Sequence, residues 1–481
     1  MKLRNFYLIA AMLAAPAASF ATDHYIRPEA KGNGDGSSWD NAMSFSNLLD
    51  KINTYDDGDM YYFAGGTYYP PKVVGINRGC TFIGGFDPEL TGTENTTPTY
   101  PSATPTVFSG DVDKDGMNSN GDLDRLLAFN QSNVTDTENQ NTKITLTGLE
   151  FKDAYSVSST TTHGALFLRG CYNVEVNNCR FYDNVEDKYY GGMALTSEYS
   201  TLYMNDCEFT NNKAKARGGA IRLSSNDKAK GITVLNRCLI ANNSTEENIG
   251  SAICVQQGKS LYIINSTITD CTSGTTGGAV YSNGSDDTYT RNVYIVNSTI
   301  AGNDGGPQVQ MTANANLYVA NSIVVSDDNT AAFSIESVKT FESGGMNVVR
   351  ADANNLLTWG ETDDAKAENN YAAVFGENVL GDNGVIEPLA NEGKYTASAL
   401  QTAIADWGIE ADVTIDQTGH ERAEGSTPGA YAKTVPSGIT AVEVENDEED
   451  AAYYTLQGIK LGARPTVAGI YIHNGKKIII K

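Results

Sequence analysis

Histidine is scarce in this 481-residue chain: His24, His163, His420 and His473 are all there are. They fall near the start, in the middle, towards the end and in the tail, so they form no cluster for proton transfer or metal binding. Basic residues are also few. Only 34 Lys and Arg stand against 59 Asp and Glu, a net charge of −25 at pH 7. That deficit argues against nucleic acid or an anionic membrane surface as the main partner, because both would repel the chain. Past the first twenty or so residues no stretch approaches the roughly 18 apolar residues that a membrane-crossing helix needs. Proline is held to 13 residues and tryptophan to 3. The 7 cysteines are an odd number, so they cannot all pair within one chain.

The N-terminus carries an export pattern. Lys2 and Arg4 give a positive start, Phe6 to Ala15 an apolar stretch, and Ser19-Phe20-Ala21 a small-x-Ala cleavage site. Cleavage after Ala21 would leave Thr22 at the start, with no cysteine there for a lipid anchor. The expected location is the cell surface (outer membrane) or the extracellular space.

A repeat dominates the middle of the chain. Cys179, Cys207, Cys238, Ser266, Ser298 and Ser322 recur at intervals of about 24 to 32 residues, each preceded by Asn, Asp or Arg. A second marker keeps step with them: Gly164-Ala165-Leu166, Gly192-Met193-Ala194, Gly219-Ala220-Ile221, Ser251-Ala252-Ile253 and Gly278-Ala279-Val280. Two independent markers on one period establish the repeat. Within it, Val174 and Val176, Leu202 and Met204, Leu261 and Ile263, and Val293 and Ile295 alternate with other residues, the period of strands.

Each repeat therefore offers about three short strands and no room for a helix. The fold this predicts is all-β: a right-handed parallel β-helix with three strands per coil and a small C-terminal β segment. Coils stack about 4.8 Å apart, so equivalent side chains form rows along the axis. Phe181 over Phe209 over Ile240 is expected as one buried row. Cys179, Cys207 and Cys238 are expected in another, as small buried residues with unpaired thiols, inter-coil disulfides being the alternative. Asn178, Asn265, Asn297 and Asn321 are placed at one bend, where Asn tolerates left-handed backbone. Asn184, Asn212, Asn243 and Asn303 mark the next bend, and the paired glycines the third. Two apparent glycosylation sequons, at Asn265 and Asn297, fall on this structural row.

Gly218-Gly219-Ala220-Ile221 and Gly277-Gly278-Ala279-Val280, with Phe181-Tyr182-Asp183-Asn184 and Phe209-Thr210-Asn211-Asn212, resemble the repeats of the polymorphic outer-membrane protein family. The resemblance covers about 144–330 and implies a pectin-lyase-like β-helix in an adhesin-type surface protein. No C-terminal autotransporter barrel is expected, so export must differ from that family's. The flanks resemble the wider class of exported bacterial β-helix proteins. Tyr25-Ile26-Arg27-Pro28, Gly34 to Trp39 and Phe63-Ala64-Gly65-Gly66-Thr67-Tyr68 match its opening, with a short helix at Phe45 to Ile52 as an N-terminal cap. Asp416, Gly419, Arg422 and Gly429-Ala430-Tyr431 match its closing motif. The tail, Tyr454 to Gly458 and Gly469 to Lys477, is similar to type IX secretion C-terminal sorting domains, or else is a small β-hairpin unit with no targeting role.

The organisation expected is a signal peptide over 1–21, an N-terminal cap and first coils over 22–143, β-helix repeats over 144–350, and C-terminal coils and cap over 351–433. An acidic linker over 434–450 and a sorting segment over 451–481 complete it.

For chemistry, the outward row after the Gly-Ala step is read as Phe167, Leu195, Arg222, Cys254 and Tyr281. It holds no carboxylate pair of the kind glycoside hydrolysis uses. Phe167, Arg222 and Tyr281 are its candidate glycan contacts. The one site-like cluster is Asp111, Asp113, Asp115 and Asp122, with Gly116 at the sixth position, which echoes a calcium loop; a solvated turn is the alternative. No other cofactor is indicated. Two functions stay open: adhesion or glycan contact without catalysis, or a carbohydrate-active enzyme (polysaccharide lyase or glycoside hydrolase) on the same scaffold. The partners expected are a host or environmental glycan or surface protein, and secretion machinery through the tail. A monomer is expected.

Overall fold

The computed structural model describes residues 21–116, 121–132, 142–157, 164–188, 191–224, 231–247, 249–256, 260–274, 277–283, 290–312, 315–326, 331–335, 340–351, 359–389, 395–433, 452–455, 459–473 and 476–480. The expected signal peptide up to Phe20, His163 and the expected acidic linker over 434–450 lie outside them. The chain divides into two units, Met1–Thr434 and Val435–Lys481.

One turn of the first unit shows how the sequence builds it. Leu166–Arg169 lies on one sheet, C, and Val174–Asn177 on a second, A. Arg180–Tyr182 follows on a third, B, and Val185–Glu186 on a narrow fourth, D. Leu195–Glu198 then returns to sheet C and pairs in parallel with Leu166–Arg169. Among the described residues sheet A stacks 12 strands, sheet B 11, sheet C 9 and sheet D 5. The result is a right-handed parallel β-helix. Sheet D adds to the expected three strands per coil; its two-residue strands are too short to show any periodicity in sequence.

The bends explain the polar residues that recur. Asn178, Asp206, Arg237, Asn265, Asn297 and Asn321 all take left-handed backbone, with φ between 45° and 55°, where sheet A meets sheet B. Asn297 donates to Asn265 Oδ1 at 2.9 Å and Asn321 to Asn297 Oδ1 at 2.8 Å, so the bend carries a ladder of amides. At the next bend the left-handed residue is the one before the expected asparagine, Asp183, Asn211, Asn242 and Gly302, and in the coil where Cys271 takes the asparagine's place it is Asp270. Asn184, Asn212 and Asn243 point inward instead, fully buried, and bond to one another at 2.8 and 2.9 Å. A buried amide with both ends satisfied avoids the desolvation cost that an unpaired one would incur.

Inside, Phe151, Phe181, Phe209 and Ile240 pair coil to coil as one row. Cys179, Cys207, Cys238, Ser266, Ser298 and Ser322 form the small-residue row, all buried, and none of the seven cysteines is joined in a disulfide. Where serine replaces cysteine the hydroxyl accepts from the next backbone upstream: Ser266 from Cys238 N at 2.9 Å, Ser298 from Ser266 N at 3.2 Å. Burial, against the backbone hydrogen bonds the sulfur receives, pushes the Cys179 thiol up to about 12, which keeps it protonated and inert.

Coils are already present upstream of 144. Asp23–Arg27 pairs with Asp59–Ala64 within sheet A, and helix α1 (Phe45–Lys51), capped by Ser44, buries Phe45, Leu48 and Leu49 at that end. Near the other end, the stretch 395–433 runs along the side rather than only beyond the last coil. Asn265 and Asn297 donate to the carbonyls of Asp412 and Val413 at 2.8 Å, and Gly429 N donates to Asn321 O at 2.9 Å. Arg422 donates to the Gly429 and Ile415 carbonyls, and Asp416 accepts from Thr418, His420 and Ala432. The closing-motif residues thus pin a strap over the bend between sheets A and B.

The second unit is a four-stranded antiparallel sheet in the order Lys460–Leu461, Tyr453–Thr455, Gly469–His473, Lys476–Ile480.

Candidate functional site

The outer face of sheet C carries the candidate contacts, with one correction. Phe167 pairs with Thr196, Thr196 with Arg222, Arg222 with Cys254 and Cys254 with Tyr281. Leu195 instead pairs with Leu166 and Ile221 and is fully buried in the core. Thr196 holds the outward place. Aligning Gly192-Met193-Ala194 on its glycine displaces the row by one residue, because Ala194 is the residue that stacks with Ala165 and Ala220.

Phe167, Arg222 and Tyr281 lie on the outward row as expected, yet they are 5%, 8% and 8% exposed. At Arg222 the preceding glycine accounts for part of this. Gly192, at φ 84°, lies so close that a Cβ there would collide with the Cβ of Arg222 and fall 2.7 Å from Thr196 Oγ1. A Cβ on Gly278 would sit 3.0 Å from the Cβ of Gln310, the next outward residue after Tyr281. Gly192 and Gly278 are therefore bare because each folds over the outward residue of the following coil, whereas Gly219 lies against the Ser244 and Ser251 backbone. Phe167 lies under the Arg125 guanidinium, 4.6 Å from its ring centroid.

Beside that covered row runs a polar one that sequence reasoning missed. Arg169 pairs with Glu198 in register. Arg169 Nε lies 3.6 Å from Glu198 Oε2, Arg222 Nη1 3.9 Å from Glu198 Oε1, and Arg222 Nε donates to Gln256 Oε1 at 3.1 Å. Glu198 is thus flanked by two guanidinium groups. The Arg169 side chain is 44% exposed and offers donors to solvent. Aligning the coils on alanine instead of glycine would have placed Arg169 and Glu198 side by side. Cys254, between Arg222 and Tyr281, is fully buried, and burial pushes its thiol up to about 11 despite the nearby Arg222 and Arg217.

The acidic loop folds back on itself. Lys114 takes left-handed backbone, Gly116 N donates to Asp111 Oδ1 at 3.3 Å and Leu123 N to Gly110 O at 3.0 Å. Carboxylate oxygens of Asp111, Asp113, Asp115 and Asp122 lie within 4.8 Å of one another. Oxygen ligands at that separation suit a hard divalent cation such as calcium. Among the described residues no helix flanks the loop; its neighbours are the strands Thr106–Ser109 and Leu127–Asn130.

Comparison with known proteins supplies the family. Six solved chains match. A pectate lyase, Pel9A, is 13% identical over 86% of this chain and 90% of its own, with a TM-score of 0.40. XylC, solved in complex with xylose, is 9% identical over 85% of this chain and 98% of its own, with a TM-score of 0.35. Among curated proteins none matches. The family described as rhamnogalacturonase A/epimerase, pectate lyase-like, matches residues 30–276, which takes in the N-terminal coils and the charged stretch of sheet C. With more than half of its length matched in this way, the chain belongs to the rhamnogalacturonase A/epimerase, pectate lyase-like family.

Proposed function

We propose that this protein is exported and contacts a glycan, at the cell surface (outer membrane) or outside the cell, without cleaving it. The observation that carries the reading is the family match over 30–276, whose description names enzymes of pectic polysaccharides, on a chain whose outer sheet face carries the Arg169–Glu198–Arg222–Gln256 array. Guanidinium and carboxylate groups fixed by one another are suited to hydrogen-bonding sugar hydroxyls or carboxylates. A fold shared with lyases does not by itself bring their chemistry. The adhesin-type role follows the likeness of the Gly-Gly-Ala-Ile and Phe-x-x-Asn tetrapeptides to outer-membrane repeats. The tail sheet is proposed as the segment read by type IX secretion machinery, and the acidic loop as a calcium site.

The alternative is a carbohydrate-active enzyme, a polysaccharide lyase or glycoside hydrolase, which the same family match supports as well. Glu198 and Arg222 would then be the first groups to test. A glycan array with a parallel screen for polysaccharide cleavage separates the two. Binding without products is the expected result; soluble products formed by wild type and not by Arg222→Gln would establish the enzyme.

A further inference from the structure

Two stretches outside the repeat, 100–105 and 381–384, line a cleft of about 500 Å³ on the outer face of sheet B. That is the size of a small-ligand or oligosaccharide site. Its floor is a single outward row, Glu150, Arg180, Glu208 and Leu239, which pair coil to coil. The cleft therefore runs along the helix axis for three coil spacings, roughly 14 Å. Arg180 donates to Glu150 Oε1 at 3.3 Å and to Glu208 Oε2 at 2.9 Å. Beside this row Arg237 donates to both oxygens of Asp206, at 2.7 and 2.6 Å.

The walls are fixed. Tyr100 donates to Gly84 O at 2.9 Å, and its ring fills the space that a Cβ on Gly148 would need. Opposite in sequence, Gln417 donates to Gly384 O at 2.8 Å and accepts from the Thr267 hydroxyl at 2.7 Å. Farther along the same outward row the residues become Thr267, Thr299 and Ile323, and there the strap covers the sheet: a Cβ on Gly429 would fall 2.7 Å from Thr299 Oγ1. Charged side chains in fixed geometry are thus confined to the coils left open between the two walls.

We propose that this cleft binds an extended, uncharged oligosaccharide lying along the helix axis, a site separate from the face of sheet C and resting on the glycan-contact reading above. Alternating guanidinium and carboxylate groups, repeated at the coil spacing, offer donors and acceptors to successive hydroxyl-bearing rings. Tyr100 and Pro101 supply an apolar edge for the ring C–H faces. Acidic sugars are disfavoured by the charge balance. Glu150, Asp206, Glu208 and Asp382 outnumber Arg180 and Arg237, and both arginines are already neutralised by their partners.

The test is calorimetric titration of the full chain with xylohexaose, cellohexaose and mannohexaose, and with hexagalacturonate as the acidic probe. Arg180→Ala and Glu208→Gln alter side chains that are each 45% exposed, so the core is left intact, and unchanged melting confirms it. The expected result is saturable binding of a neutral hexasaccharide, weakened about tenfold or more by each of these changes. Preference for hexagalacturonate, or neutral-sugar binding that survives both changes, overturns the cleft. Binding lost only in Arg222→Gln also overturns it while preserving the glycan-contact reading on sheet C. No binding of any probe overturns the cleft, and a blank glycan array would then remove the broader reading as well.

Discussion

The ring of Phe209 lies 4.6 Å from that of Phe181, within 4° of parallel, in a row that continues up through Phe151 and Phe108 and down to Ile240. Removing it opens a cavity that neither neighbour can fill without leaving its own stack. Phe209→Ala should cost about 3–5 kcal/mol. Phe167, outward and covered by Arg125, should cost about 1–2 kcal/mol, from lost contact area and the cation–π contact. Denaturant melts of both variants check this; equal losses, or the reverse order, would put the inside–outside register in error.

The register was legible where two chemical rows constrained it together. On sheet B the spacing of cysteine, serine and phenylalanine gave the pairings Phe181 to Phe209 to Ile240, because an inward row selects for size and a left-handed bend for asparagine. On sheet C one marker, glycine, was selected by something else: close approach to the next coil, to its backbone at Gly219 and to its outward residue at Gly192. Following it displaces Leu195 by one place and hides the pairing of Arg169 with Glu198. Of the strap only the closing-motif residues were legible, not its path along the side, and the cleft walls were not legible at all. Their partners lie far off in sequence, as Asn265 does from Asp412, and belong to no repeat.

Gly192 makes the covering role testable. Gly192→Ala meets both left-handed strain and collision with Arg222, so a loss of about 2–4 kcal/mol is expected. Gly419 has the same φ of 84° but nothing within 4 Å of an added Cβ, so Gly419→Ala should show the strain alone, about 1–2 kcal/mol. Thermal or denaturant unfolding of the pair isolates the contribution of the contact; equal losses would mean that the glycine does not press on the sheet face.

The thiols should be reduced yet silent. Burial pushes Cys179 and Cys271 up to about 12 and Cys254 up to about 11. At pH 8 the reactive thiolate is therefore a minute fraction, and rising pH restores it only as those values are approached. A thiol reagent at pH 8 should label none of the seven in the folded chain and all seven after unfolding without reductant. A Cys179–Cys207 or Cys207–Cys238 disulfide in the mass spectrum would contradict this.

If the acidic loop holds calcium, the metal binds the folded state alone and adds about 2.7 kcal/mol at a hundredfold excess over Kd. Millimolar calcium should raise the melting temperature, magnesium should do less, and Asp113→Asn with Asp115→Asn should abolish the rise. Identical melting curves in calcium and in chelator would leave the loop a solvated turn.

Glycan contact without cleavage is tested most directly by incubating the purified full chain with a panel of pectic and neutral polysaccharides. Bound protein and new chain ends are then measured in the same samples. The expected result is protein retained on at least one polysaccharide, with no new reducing ends and no unsaturated uronate absorbance over prolonged incubation. Accumulation of either product by wild type, lost in Arg222→Gln or Glu198→Gln, would contradict it and make the protein an enzyme of its family.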